Sequence, residues 1–307
     1  FLSPKRPEAP KSLLDRARQE KPPRVALVNA GSATALNGIR EAAVLGLAEP
    51  ILIGDRAKIA SAADEIGWDI SDIPVLEAPG PAASHTAAKL AREGDADAVM
   101  KGQVHTSTFL KGLLPASAGL RSKGSKCGHV LHITLPGSDR PLFLTDAALN
   151  VNPDVDTRKA CLSHAVHLAM SLGIARPRAA LLAPSEDPTP GIPTTFEAAE
   201  IADWAKEALP EADVAGPISM DLLLSTDAAR IKGYDSPVAG QADVIVSPNI
   251  TSGNALFKLM VLGMGACAGG LVLGAKVPLL LPSRSQGAAA RTASAALGMV
   301  VAASASR

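Results

Sequence analysis

Residues 243–285 read DVIVSPNITSGNALFKLMVLGMGACAGGLVLGAKVPLLLPSRS. The run Val244–Val246 has strand character, a polar turn from Ser247 opens a helical run, and Gly270–Leu273 and Val277–Leu281 are two further apolar runs of buried-strand length. The last of these empties into Pro282, Ser283, Arg284 and Ser285. Open α/β sheets bind ligands beyond the carboxyl ends of their strands, so a hydroxyl and a cation released by an apolar strand mark a candidate ligand site. Residues 259–281 would deceive a hydropathy window, but Gly269, Gly270, Lys276 and Pro278 cut them into pieces too short for a membrane span.

Upstream, the same grammar repeats. Strands are predicted at Arg24–Val28, Pro50–Ile53, Ala98–Met100, Pro141–Thr145 and Ala179–Ala183, alternating with helices over 36–47, 58–66, 82–93, 109–114, 156–172 and 195–209. Residues 213–221 read as a turn-rich connection, and an Ala-rich helix is expected over 288–302. Alternation of this kind predicts an α/β fold with parallel sheets. With 307 residues, 47% of them hydrophobic, the chain can fill two cores. The expected partition is 24–147 with 283–307 as the first domain, 148–282 as the second, and 1–23 as an N-terminal surface arm.

Composition narrows the partners. Lys+Arg and Asp+Glu both number 30, so no net field attracts a nucleic acid, and aromatics at 3% supply few stacking platforms. Neither nucleic acid nor membrane is expected as a partner. Cys127, Cys161 and Cys267 are odd in number and form no CxxC, which fits buried thiols in a reducing cytoplasm. His129 and His132 fall on opposite faces of a strand, and no carboxylate joins His164 and His167, so no metal site is expected.

Five further positions are candidates. Lys101 and Gly102 follow the strand 98–100 and precede hydroxyls and a helix start, which makes an anion nest, against the plainer reading of a capped turn with a solvated lysine. His105, in the same loop, is either a proton carrier or a loop-fixing hydrogen-bond donor. Arg121 is a candidate clamp for phosphate or carboxylate, against the plainer reading of a solvated arginine. Asp146, at the end of the strand 141–145, is placed to orient a neighbouring arginine or bind a substrate donor or, more plainly, to cap the turn that follows.

Several segments taken together resemble the phosphate acetyltransferase and phosphate butyryltransferase family: residues 98–102 (AVMKG), 145–150 (TDAALN), 216–221 (GPISMD), 242–254 (ADVIVSPNITSGN) and 277–284 (VPLLLPSR). The likeness runs from about Val25 to Ala303 and is nearest the butyryltransferase-like branch and the acyltransferase half of enoyl-CoA hydratase fusions. It implies two domains of the isocitrate/isopropylmalate-dehydrogenase type with an inter-domain cleft, usually dimeric. It also implies reversible transfer of a short acyl group, acetyl or butyryl, between coenzyme A and orthophosphate. Acyl-CoA, phosphate and acyl phosphate would be the substrates, with no tightly bound cofactor. On this likeness Ser283 donates to the acyl carbonyl oxygen, Arg284 holds phosphate or CoA charge, and Lys101, Gly102, Arg121 and Asn254 complete the anion-binding cleft. Relatives commonly carry a carboxylate after the Ser-Arg pair, where this chain has Gln286, and an acidic residue where it has Asn249. The CoA thiol would then lose its proton to His105, Asp146, Asp221 or water, or react through the thiolate fraction already present in bulk. A weakened CoA- or acyl phosphate-binding regulatory protein of the same fold is the alternative.

Overall fold

The computed structural model describes residues 2–282 and 287–305. The described residues form two compact units, one built from Lys126–Ala266 with the leading residues up to Arg6, the other from Pro7–Ser125 and Cys267 onward.

In the split unit six strands lie in the order β3 (Val75–Glu77), β2 (Glu49–Gly54), β1 (Arg24–Val28), β4 (Ala98–Lys101), β11 (Leu279–Leu280) and β10 (Cys267–Leu273). All adjacent pairs are parallel except β10 with β11. Helices α2 (Ala33–Val44), α3 (Arg56–Glu65), α4 (Ala82–Glu93) and α5 (Thr106–Leu113) connect the strands, and α11 (Gly287–Ala305) packs on β10 and on α1 (Lys11–Ala17). The caps explain several boundaries. The Ser32 hydroxyl accepts from the Ala35 N–H and starts α2, the Asp55 carboxylate accepts from the Lys58 N–H and starts α3, and Gly94, left-handed at φ +83°, ends α4.

Five strands make the sheet of the contiguous unit, ordered β5 (Gly128–Thr134), β6 (Leu142–Thr145), β9 (Val244–Val246), β7 (Arg178–Leu182) and β8 (Asp213–Ile218). β5 and β6 are antiparallel; the other pairs are parallel. Helices α6 (Val155–Ser171), α7 (Pro193–Ala208), α8 (Met220–Leu224), α9 (Thr226–Lys232) and α10 (Ile250–Lys258) belong to it, the last continuing into a π-turn over Leu259–Gly263.

Three expectations change. Residues 213–218 are a strand rather than a connection. β8 lies at the edge of its unit's sheet, where the missing N–H of Pro217 breaks no ladder, and Gly216 admits the Leu181 side chain, whose Cγ would stand 3.1 Å from any β-carbon there. Residues 1–23 are not a surface arm throughout, because Leu13 and Ala17 of α1 are buried. The expected domain bounds at 147/148 and 282/283 lie C-terminal to both observed crossings. The β5–β6 hairpin pairs with β9 and so joins the later unit, and β10 and β11 pair with each other and with β4.

Among the described residues no helix is long and apolar enough to cross a membrane, and no group of three or more His, Cys, Asp or Glu is arranged to hold a metal ion. All three cysteines are buried, and burial pushes Cys161 up to about 12 and Cys267 up to about 11.

Candidate active site

In the split unit the register sets Val28 beside Lys101 and Met100 beside Leu280, so β1, β4 and β11 release their loops at the same end of the sheet. Lys101 closes β4 with only 7% of its surface exposed, and its Nζ donates to the Val104 carbonyl at 3.4 Å. The Gly102 and Gln103 N–H groups donate to the Val28 and Asn29 carbonyls, both at 3.0 Å, lacing the two loops together. A β-carbon at 102 would collide with the Val28 carbonyl oxygen and stand 2.8 Å from that of Asn29, so only glycine permits this approach.

Lys101, Gly102 and Gln103 line a recess of about 30 Å³, closed by Thr34 and Ala35 of α2, by Pro282 and by Arg291 of α11. Pro282 is the last described residue before the segment that carries Ser283, Arg284 and Gln286; those three expected site residues lie outside the described residues. His105 flanks the start of α5, exposed, with a side chain that caps nothing. Arg121 is exposed on the loop after a 3-10 turn at Ala116–Ala118, and forms no hydrogen bond or ion pair among the described residues.

The contiguous unit gathers a different set at the ends of β6 and β9. Asp146 is buried, and its carboxylate accepts from five donors: the Ala148 and Leu149 N–H groups on Oδ1, both at 2.9 Å, and the His129 N–H, the Asn150 N–H and Asn150 Nδ2 on Oδ2, at 3.1, 3.3 and 2.7 Å. The turn-capping alternative therefore describes what this side chain does. Asn254 meets the same turn, its Nδ2 donating to the Ala147 carbonyl at 3.1 Å, while Asn249 Oδ1 accepts from the Ser252 N–H at 3.0 Å and starts α10. His129, behind Asp146, is held below its ordinary pKa by burial, against the opposing pull of the Asp146 charge.

Asp221 lies in a third cluster. The Ser219 hydroxyl faces Glu186 Oε1 and, at 2.7 Å, Asp221 Oδ1, and the Lys232 ammonium stands 3.0 Å from Asp221 Oδ2 and 3.8 Å from Glu186. Ser219 and Lys232 together hold the Asp221 carboxyl at about 2, too acidic to take a thiol proton effectively near neutral pH.

The sequence reading missed Arg291. Its visible signal is slight: it is the one charged residue between Gly287 and Ser306 in an Ala-rich run. What gives it a place beside Lys101 is the return of α11 onto α2, and no local pattern encodes that return.

The model of the Phosphate acetyl/butaryl transferase family matches residues 76–298. A phosphate acetyltransferase of Rhizobium meliloti is 36% identical over 302 residues, covering 98% of this chain and 95% of the relative. A phosphate butyryltransferase of Clostridium acetobutylicum is 33% identical over 292 residues, covering 94% and 97%. The crystal structure of a branched-chain phosphotransacylase from Enterococcus faecalis V583 superposes with a TM-score of 0.78 at 28% identity, covering 91% of this chain and 98% of that one.

Proposed function

The chain belongs to the Phosphate acetyl/butaryl transferase family, and from that premise we propose that it moves a short acyl group reversibly between coenzyme A and orthophosphate. The observation that carries this reading is the near-complete overlap with relatives of both kinds: the identities extend over 98% and 94% of this chain rather than over one motif.

In the forward step the CoA thiolate attacks the carbonyl carbon of an acyl phosphate. A tetrahedral oxyanion forms, the C–O bond to phosphorus breaks, and phosphate leaves with the electron pair. The reverse step begins with a phosphate oxygen attacking the thioester carbonyl and expels the thiolate. Neither direction needs a tightly bound cofactor. In the proposal Ser283 donates a hydrogen bond to the oxyanion, Arg284 and Gln286 hold CoA or phosphate groups beside it, and Lys101, Gly102, Arg121 and Asn254 complete the anion-binding surface. Asp146 acts by fixing the 147–150 turn, a role supported by its five donors. His105, exposed and uncommitted as a cap, is the better placed of the two to take the thiol proton. The isocitrate-dehydrogenase-like cleft, the homodimer and the cytoplasmic location belong to the same proposal.

Thiol release from an acyl-CoA series, followed with and without phosphate, tests it. Phosphate-dependent release that falls at least about a hundredfold on Ser283→Ala is expected for the loss of an oxyanion donor. Demonstrable CoA binding with no turnover on any short or branched acyl group would overturn it. That outcome would favour the weakened binding protein, for which the absence of any carboxylate between Ser285 and Ala290 is the supporting observation.

A further inference from the structure

We infer that α9 is a hinged flap at the carboxyl end of β8, latched through Lys232 to Asp221 and Glu186, which opens and closes over the ligand bound beyond the carboxyl ends of that sheet. The inference rests on the acyl-transfer reading only for the identity of the ligand covered, coenzyme A. The flap and its latch stand on geometry alone.

The helix α9 (Thr226–Lys232) is almost unpacked. Ala229 is its one buried residue, and Ile231 turns an apolar side chain to solvent at 77% exposure. A helix this short does not hold itself together in water, because nucleation is costly and most helical stability comes from a packed face. The preceding helix, α8, is different. Leu222 and Leu223 are fully buried, and their carbonyls accept from the Gly240 and Ala242 N–H groups, so α8 stays with the body of the unit.

The two ends of α9 are also unlike. At the root, the Ser225 hydroxyl accepts from the Ala228 N–H at 3.1 Å, and the Gly240 backbone lies so close that a β-carbon there would stand 2.6 Å from Thr226 Cα. At the tip, Gly233 is exposed and left-handed, at φ +65°. The root pivots and the tip moves.

Charge fastens the tip. Asp227 and Arg230 pair with each other within α9 at 3.5 Å, which leaves Lys232 to reach outward. Its ammonium stands 3.0 Å from Asp221 Oδ2 on α8 and 3.8 Å from Glu186 Oε1 in the loop after β7. The Ser219 hydroxyl, facing both carboxylates, keeps them together. All three charged groups are partly exposed, and ion pairs of this kind are weak enough to break and re-form readily. Because β6, β9, β7 and β8 run parallel, the latch lies at the same end of the sheet as the turn that Asp146 and Asn254 hold, where open α/β sheets bind their ligands.

Hydrogen exchange of the full chain, followed by mass spectrometry at neutral pH, tests both parts. In the wild type, amides 226–233 are expected to exchange at least about tenfold faster than those of α6 and α7. Protection equal to that of α7 overturns the flap. Glu186→Gln and Lys232→Met should each speed exchange at 226–233 by a further factor of about three and leave α6 and α7 within about twofold. No acceleration in either variant overturns the latch, as does acceleration shared equally by α6 and α7. Saturating coenzyme A, its binding followed by calorimetry, should slow 226–233 by about threefold or more. Bound coenzyme A that leaves this exchange unchanged overturns the covering role. A chain that binds no coenzyme A removes the proposed function instead, and the two variants then decide the latch.

Discussion

Gly253 sits directly against the backbone carbonyl of Asp146: any β-carbon at 253 would collide with that oxygen and stand 2.8 Å from the Ser247 hydroxyl, which itself donates to the same carbonyl at 2.8 Å. The first turn of α10 is thereby pressed onto the loop leaving β6, and the next residue, Asn254, closes the joint through Ala147.

Gly253→Ala is therefore expected to lift α10 away from the strand end and to destabilise the protein by about 1–3 kcal/mol, the usual range for overpacking a close contact. Urea unfolding would show a lower midpoint with an unchanged slope. An unaltered midpoint would mean that the helix start is not held where the structure places it.

Asp146→Asn tests the turn itself. An amide replaces one oxygen with a donor, which then faces N–H groups that now donate to the carboxylate. The expected loss is about 1–3 kcal/mol in stability, the penalty for unpaired buried polar groups. If Asp146 is the thiol's base instead, acyl transfer should collapse while the unfolding midpoint stays near wild type.

Stability should decline on mild acidification. His132 is buried against Phe143, with ring centroids 5.4 Å apart, and burial lowers its pKa from 6.5 to about 4. Between those values the unfolded chain binds a proton that the folded chain refuses. Stability fully present above pH 6.5 is thus lost as pH falls toward 4, by up to about 3 kcal/mol from this group. His129 and His164, also lowered by burial, act in the same direction. Urea midpoints measured at pH 7 and pH 5 should differ, and His132→Gln should narrow the difference. An equal slope in the variant would assign the effect elsewhere.

The thiols should be silent until the chain opens. Cys161 and Cys267 titrate far above neutrality, at about 12 and about 11, and all three cysteines are buried. A disulfide reagent at neutral pH is expected to react with fewer than one thiol per native chain over minutes, and with three at once in denaturant. Fast reaction of the native chain would show that one of these thiols is accessible.

Much of the fold is legible in the residues themselves. Arg24–Val28, Ala82–Glu93 and Val244–Val246 coincide with β1, α4 and β9 because apolar runs and nearby caps or glycines mark their ends. β8 is not legible in this way, since Gly216 and Pro217 read locally as a turn and only the pairing of Asp213–Ala215 and Ile218 with β7, on either side of them, makes the run a strand. Within the site, Lys101 and Gly102 announce themselves as a cation and a glycine after a short apolar strand. Arg291 does not, because what brings it beside Lys101 is the packing of α11 on α2, distant in sequence. The five donors around Asp146 are likewise beyond reading, as one of them comes from a different strand.

The discontinuous pairing of β4 also has a consequence for biosynthesis. Residues 126–266 are continuous and carry every strand of their own sheet, so that unit can close as soon as it emerges from the ribosome. β4 has to wait for its neighbour β11, which lies at Leu279–Leu280, beyond the whole of the contiguous unit. Throughout that interval the nascent chain presents an apolar strand with one unpaired edge, the kind of surface on which chains stick to one another. Chaperone dependence and aggregation during overexpression should therefore track this edge, even in a protein whose finished fold conceals it.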